Sequence, residues 1–168
     1  MEEGLRGAEQ HTAFNSPLEA GVRSVALLLA AYPGVMDLQR LVVYDYLAVH
    51  SGDMGGPPSL HPLLPFRSAE LLVRRGLIER GLLLMMSRGL VERVVDATGV
   101  GYRADELAEI FMSTTTAPYL RSLARRASWV VETCGSLDDA ALRRTVGRFF
   151  SDWVAEFHAA QGRLEVDL

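Results

Sequence analysis

The chain of 168 residues has no lysine; all 17 of its basic residues are arginine. A GC-rich coding sequence would be enough to produce this bias. Arginine is also the residue suited to forked and stacked contacts at interfaces. There is one cysteine, Cys134, so an internal disulfide and a disulfide-held scaffold are excluded. No window approaches the ~20 uninterrupted apolar residues that a membrane span needs, and no membrane partner is expected. Residues 1–12 are acidic and polar, unlike a secretory signal, which makes the cytoplasm the expected location. With 49% apolar and 23% charged residues, the composition is that of a globular chain and excludes a wholly disordered one. The length fits a single domain.

The net charge of −4 is unevenly spread. Residues 1–66 hold three arginines against seven acids, residues 67–93 six against three, and residues 94–168 eight against eleven. The chain is acidic at both ends and basic in the middle. A protein that binds nucleic acid through its whole surface would not carry this pattern.

Punctuation residues divide the chain into helices and one hairpin. Residues 1–14 are polar and without period, as in a tail. Ser16-Pro17-Leu18-Glu19 is a capping box with proline at the first helical position, and it opens a helix to about Tyr32, stopped by Pro33-Gly34. Asp37 caps a second helix, Leu38 to about His50. The glycines and prolines from Gly52 to Pro65 then forbid a long helix or a central strand. A loop this long is expected to have a role. Ser68 opens a long helix to Ser87, closed by Gly89. Leu90–Val95 and Val100–Ala104 read as strands around an Asp96–Gly99 turn. Asp105 is the expected cap of a short helix, Glu106–Met112. A helix from Tyr119 to Cys134 follows, and Ser136 begins a second capping box. The last helix places Leu142, Val146, Phe149, Phe150, Trp153, Val154 and Phe157 at spacings of three and four.

A long helix, a hairpin and a short helix in this order are those of a winged helix. The expected fold is mainly α with a small β-hairpin: a winged helix-turn-helix core with N- and C-terminal helical extensions. The expected divisions are a tail at 1–14, a core at 15–113 and an extension at 114–168.

In such a fold the helix opened by Ser68 is the recognition helix, and a DNA reader needs one basic face there. On a helical wheel Leu71, Ile78, Leu82 and Met85 fall in one sector, Val73, Leu77 and Leu84 in a second, and Leu72 and Leu83 on a third line. Arg74, Arg75 and Arg80 point in three directions. This pattern predicts protein on more than one side, either the chain's own core or a partner. The candidate partner interface is therefore Val73, Leu77, Leu84, Arg74 and Arg80, with Phe149 and Trp153 of the last helix. Arg93 and Arg103 on the wing are candidates for a weak DNA contact. Arg121, Arg125 and Arg126 share one helix and read as a solvated face.

Catalytic signals are poor. His50, Asp53 and His61 flank the Gly-Pro loop but match no metal-ligand spacing; His50 reads better as a helix cap, and Asp53 and Ser59 as turn residues. Gly55-Gly56 lacks the features of a phosphate loop. Cys134 has no evident histidine partner. No nucleophile–base pair stands out, so neither an enzyme nor a cofactor is expected.

Several blocks resemble the middle component (type 2) of bacterial ABC-three-component systems. They are Phe14-Asn15-Ser16-Pro17-Leu18-Glu19-Ala20-Gly21, Asp37-Leu38-Gln39-Arg40-Leu41, Tyr44-Asp45-Tyr46, His50-Ser51-Gly52-Asp53, Gly55-Gly56-Pro57, Ser59-Leu60-His61-Pro62, Glu70-Leu71-Leu72-Val73-Arg74-Arg75 and the run from Gly81 to Leu90. They lie in order between about residues 14 and 130; Met54 and the wing, Asp96 to Val100, depart from the pattern. The resemblance implies a non-catalytic winged-helix adaptor. Its partners would be an SMC/Rad50-like ABC ATPase and a third system component, in Lamassu-like defence against phage or plasmids. It names no catalytic, cofactor or metal residue. The competing reading is a winged-helix transcription regulator that dimerises through its terminal helices. A weaker third is a metal-dependent enzyme using His50, Asp53 and His61.

Overall fold

Ser16 caps the first described helix as the sequence predicts. Its hydroxyl accepts from the Glu19 amide at 3.2 Å, and Glu19 Oε2 accepts from the Ser16 amide at 3.4 Å. A computed structural model describes residues 16–61 and 67–147. Its elements are α1 (Pro17–Ala31), α2 (Leu38–Val49), α3 (Arg67–Ser87), β1 (Val91–Asp96), β2 (Gly99–Ala104), α4 (Ala108–Thr114), α5 (Pro118–Cys134) and α6 (Asp139–Gly147). The described chain is thus mainly helical with one small antiparallel hairpin.

Local chemistry explains most boundaries. Asp37 Oδ1 accepts from the Arg40 amide at 2.7 Å and starts α2. α3 already includes Arg67, so its first turn starts one residue before the expected Ser68 cap. At its other end the Leu90 amide donates to Met85 O and the Gly89 amide to Met86 O, with Gly89 at φ +70°. This paired closure needs a left-handed residue, which glycine adopts without strain. The hairpin pairs Val91 with Ala104 through Asp96 with Gly99, so the turn is two residues, shorter than expected from the sequence. Asp96 closes it by accepting from the Thr98 amide at 2.7 Å.

Two expected caps are corrected. Asp105 accepts from the adjacent Glu106 amide, and one irregular turn intervenes before α4 starts at Ala108. Asp138, rather than Ser136, caps α6, because its carboxylate reaches the Ala141 amide at 2.6 Å.

Met36 exchanges two backbone hydrogen bonds with Tyr102, at 2.9 and 2.7 Å, which extends the hairpin by one bridge toward the α1–α2 connection. The order is thus helix, bridge, helix, helix, hairpin. The centre of the core is α1 and α2. From Ala20 to Leu28 every residue of α1 except Val22 is buried, and so is the run Tyr44–His50 at the end of α2. α5 lays Leu123, Ala127, Val130 and Cys134 on this core, and α6 adds Leu142. Arg40 ties α6 down by donating to Leu137 O at 2.7 Å and to Asp139 Oδ1 at 2.9 Å. Phe149, Phe150, Trp153, Val154 and Phe157 lie outside the described residues, as does the side chain of Val146.

Candidate interaction surface

Among the described side chains of α3, Arg74, Leu77, Ile78, Gly81, Leu82 and Met85 are buried at helical spacing and form one inward face. It packs most extensively on α1. The crossing is a backbone contact, since a Cβ on Gly81 would lie 2.6 Å from Gly21 N and 2.7 Å from Pro17 O. Two glycines let the helices meet closer than any side chain permits.

The inward face also carries a charge. Arg23 Nε donates to Asp45 Oδ1 at 2.7 Å, its Nη2 donates to Oδ2 at 3.3 Å, and Arg74 Nη1 donates to the same Oδ2. All three side chains are buried, and the Arg74 guanidinium lies 5.6 Å from the centre of the Tyr46 ring. Burial alone would raise the Asp45 pKa, but the two guanidiniums outweigh it and hold the carboxyl below its usual range. The triad therefore links α1, α2 and α3 through one carboxylate.

The outward face is different. Val73 is 61% exposed and Leu83 64% exposed, with Glu79 and Arg80 also in solvent. Arg75 is half-buried and pairs with Glu79 at 3.3 Å. The three arginines that a DNA reader would align are thus apart: one in the core, one paired along the helix, one exposed. Of the candidate interface residues, Val73 and Arg80 are on the surface, Leu84 is half-buried, and Arg74 and Leu77 face inward. Phe149 and Trp153 lie outside the described residues. Leu83, assigned from the sequence only to a third apolar line, is the most exposed large apolar residue of the described part of α3. Leu71 and Leu72 fall outside the described side chains.

The hairpin continues the apolar character. Val95 and Val100 are direct cross-strand partners, and Val95 is 68% exposed. Arg93 is exposed. Arg103 is half-buried and donates from Nε to Glu92, its partner across the ladder.

The Gly-Pro loop is a structural tie. Ser51 Oγ donates to Pro57 O at 2.7 Å, and Ser59 Oγ accepts from the Gly52 amide at 3.0 Å. Arg126 donates to Pro58 O at 2.9 and 3.1 Å, so this member of the expected solvated face is engaged within the chain. Gly56 lies against Trp129, where a Cβ would come within 2.3 Å of the indole. Asp53 accepts from the Tyr46 hydroxyl at 2.8 Å. His50 is the C-cap of α2 and packs on Tyr46, ring centres 4.6 Å apart. His61 Nε2 shares a 2.8 Å hydrogen bond with the Tyr119 hydroxyl. Among the described residues no three His, Cys, Asp or Glu side chains are grouped to hold a metal. Burial, then the charges of Arg23 and Arg74 and the nearby His50, push the His61 pKa down to about 4, against a smaller upward pull from Asp45. Burial raises the Cys134 thiol, so it is a poor nucleophile.

A family model described as ABC-three component (ABC-3C) system Middle Component 2 matches residues 13–156. The chain belongs to this family. No curated protein and no solved structure matches it. The Middle Component 2 match spans every element described above, from α1 to α6, and runs past the residue-130 limit of the resemblance quoted from the sequence. A middle component works with the other components of its system. Among the described residues no helix of this Middle Component 2 chain is long and apolar enough to cross a membrane.

Proposed function

We propose that this middle component is a non-catalytic winged-helix adaptor that bridges an SMC/Rad50-like ABC ATPase to a further system component in a Lamassu-like anti-phage or anti-plasmid complex. In this reading residues 15–113 are the winged-helix core and residues 114–168 its extension, a division supported by the packing of α5 on α1 and α2.

One observation carries the reading. The face of α3 that a duplex reader would make basic offers Val73 and Leu83, while Arg74 is withdrawn to Asp45. Exposed apolar side chains on a small protein favour a protein partner, and phosphate contacts need accessible cations. The surface assigned to the partner is Val73, Arg80, Leu83 and Leu84, with the Val95–Val100 pair of the wing beside it in the sequence order. Phe149 and Trp153 are proposed to add to it from the C-terminal segment. A standard interface buries ~800 Å² on each side, enough apolar area to exceed association costs when a few residues anchor it.

The test is co-expression with the ABC ATPase of the same three-component system. The wild-type chain should co-purify with the ATPase, and V73D/L83D should not. A chain that stays alone in both forms ends the reading. A salt-dependent gel shift abolished by Arg93→Ala would instead favour the DNA-binding regulator.

A further inference from the structure

β1 pairs with β2 along one edge, and among the described residues no strand lies along the other. The ladder fixes which backbone groups face that open edge. The Tyr102 amide donates to Met36 O at 2.7 Å and Tyr102 O accepts from the Met36 amide at 2.9 Å, so both groups turn away from β1. Arg93 is the direct cross-strand partner of Tyr102. In an antiparallel ladder both members of such a pair point outward, and inward and outward pairs alternate along the strand. Arg93 and Val95 therefore direct their N–H and C=O groups to the open edge, while Glu92 and Val94 bond to β2. The hydrogen bond from the Asp105 amide to Leu90 O, at 3.1 Å, fits the same alternation. Side chains alternate too: Arg93 and Val95 share a face with Tyr102 and Val100, and Glu92 and Val94 take the other.

We propose that this edge receives an extended segment of another polypeptide, added antiparallel to β1, with an apolar residue opposite Val95 and a carboxylate two residues later opposite Arg93. The inference deepens the adaptor reading and rests on it for the carrier of the segment, another component of the system. In strand addition the backbone bonds give affinity and alternate side chains give the choice of sequence. Val95 and Val100, a cross-strand pair, are 68% and 41% exposed, so an apolar residue on the incoming strand extends their row across the sheet. Charge fixes the second position. Glu92 accepts from Arg103 on the opposite face, while Arg93 is exposed and makes no ion pair among the described residues. Opposite charges in direct cross-strand positions are stabilising and like charges destabilising. The same rule excludes a second copy of β1. Outward residues must pair with outward residues. Arg93 opposite another Arg93 sets two cations together, opposite Val95 it sets Glu92 against Asp96, and opposite Val91 it sets two copies of Glu92 together.

The experiment measures binding of a labelled, end-blocked peptide, Thr-Val-Thr-Glu-Thr, to the full chain by fluorescence anisotropy. The wild type should bind it with a Kd below about 1 mM and about fivefold tighter than the same peptide with Lys in place of Glu. Arg93→Glu should invert that preference without touching the backbone. Val95→Pro should weaken binding about tenfold, because it removes a donor that only the incoming strand uses. Val94→Pro removes a ladder donor instead and should lower the unfolding midpoint far more than Val95→Pro does. The proposal is overturned by no binding, by no preference between the peptides, by binding indifferent to Val95→Pro, or by equal loss of stability from the two prolines. An Arg93-dependent gel shift in place of peptide binding would give this face to nucleic acid and overturn it as well. The peptide assay needs no ATPase. A chain that binds the peptide but ignores the ATPase keeps the edge site and fails only the adaptor reading; the reverse result fails only the edge site.

Discussion

Gly81 and Gly21 bring α3 and α1 into backbone contact, with the position of a Gly81 Cβ only 2.6 Å from Gly21 N. Backbone cannot swing aside as a side-chain tip can, so Gly81→Ala must push the helices apart. The expected cost is about 2–3 kcal/mol, in the range of core overpacking. Gly76 is the control on the same helix, because among the described residues a Cβ there meets nothing within 4 Å. Gly76→Ala should stabilise by about 0.5–1 kcal/mol through helix propensity alone. Urea midpoints with unchanged slopes check both; equal effects from the two substitutions would remove the close crossing.

The buried carboxylate of Asp45 faces two guanidiniums, so its loss leaves two positive charges in the core. Asp45→Asn should destabilise by about 3–5 kcal/mol. Replacing all three groups with apolar residues of similar volume (R23M, D45L and R74M together) should recover most of that loss. Thermal unfolding of the single and triple variants decides this. A mild single variant would mean that water reaches the triad.

His61 gives the fold a pH dependence of definite sign. Its pKa falls from about 6.5 in the unfolded chain to about 4 in the fold. Between these values the unfolded chain binds a proton that the folded chain refuses, so stability declines on acidification through that window and is fully present above it. His61→Gln should flatten the stability curve between about pH 6.5 and 4 relative to wild type. Parallel curves for the two proteins would assign the acid sensitivity to other groups.

Much of the fold was legible because its signals are local. The Ser16 box, the Asp37 cap, the Gly89 closure and the hairpin each depend on residues within a few positions. The burial of whole helices was less legible. α3 reads as apolar all round, yet its described side chains bury one face, while α1 is buried on nearly all sides from Ala20 to Leu28. Arg23 concealed this: a lone arginine reads as a solvent mark, and its partner Asp45 is 22 positions away. Arg74 is 29 positions from the same carboxylate, and no periodicity links such a pair. The Gly-Pro loop stands out in the sequence by its length, but its contacts with Trp129 and Arg126 depend on α5 packing against it.

Leu83 and Ile78 separate the surface role of α3 from its structural one. Ile78 is fully buried, so Ile78→Ala should lower stability by about 2–5 kcal/mol through a cavity. Leu83 is mostly exposed, so Leu83→Asp should change stability by no more than about 0.5 kcal/mol. The order reverses for assembly. Ile78→Ala, measured well below its unfolding temperature, keeps the outward face intact and should retain most binding to the ABC ATPase. Leu83→Asp places a carboxylate at the centre of the proposed contact and should weaken binding about tenfold or more, as loss of an interface anchor does. Unfolding curves and a titration of the ATPase with both variants test the two effects together. Tight ATPase binding by Leu83→Asp would move the contact away from this face of α3, whatever the stability data show.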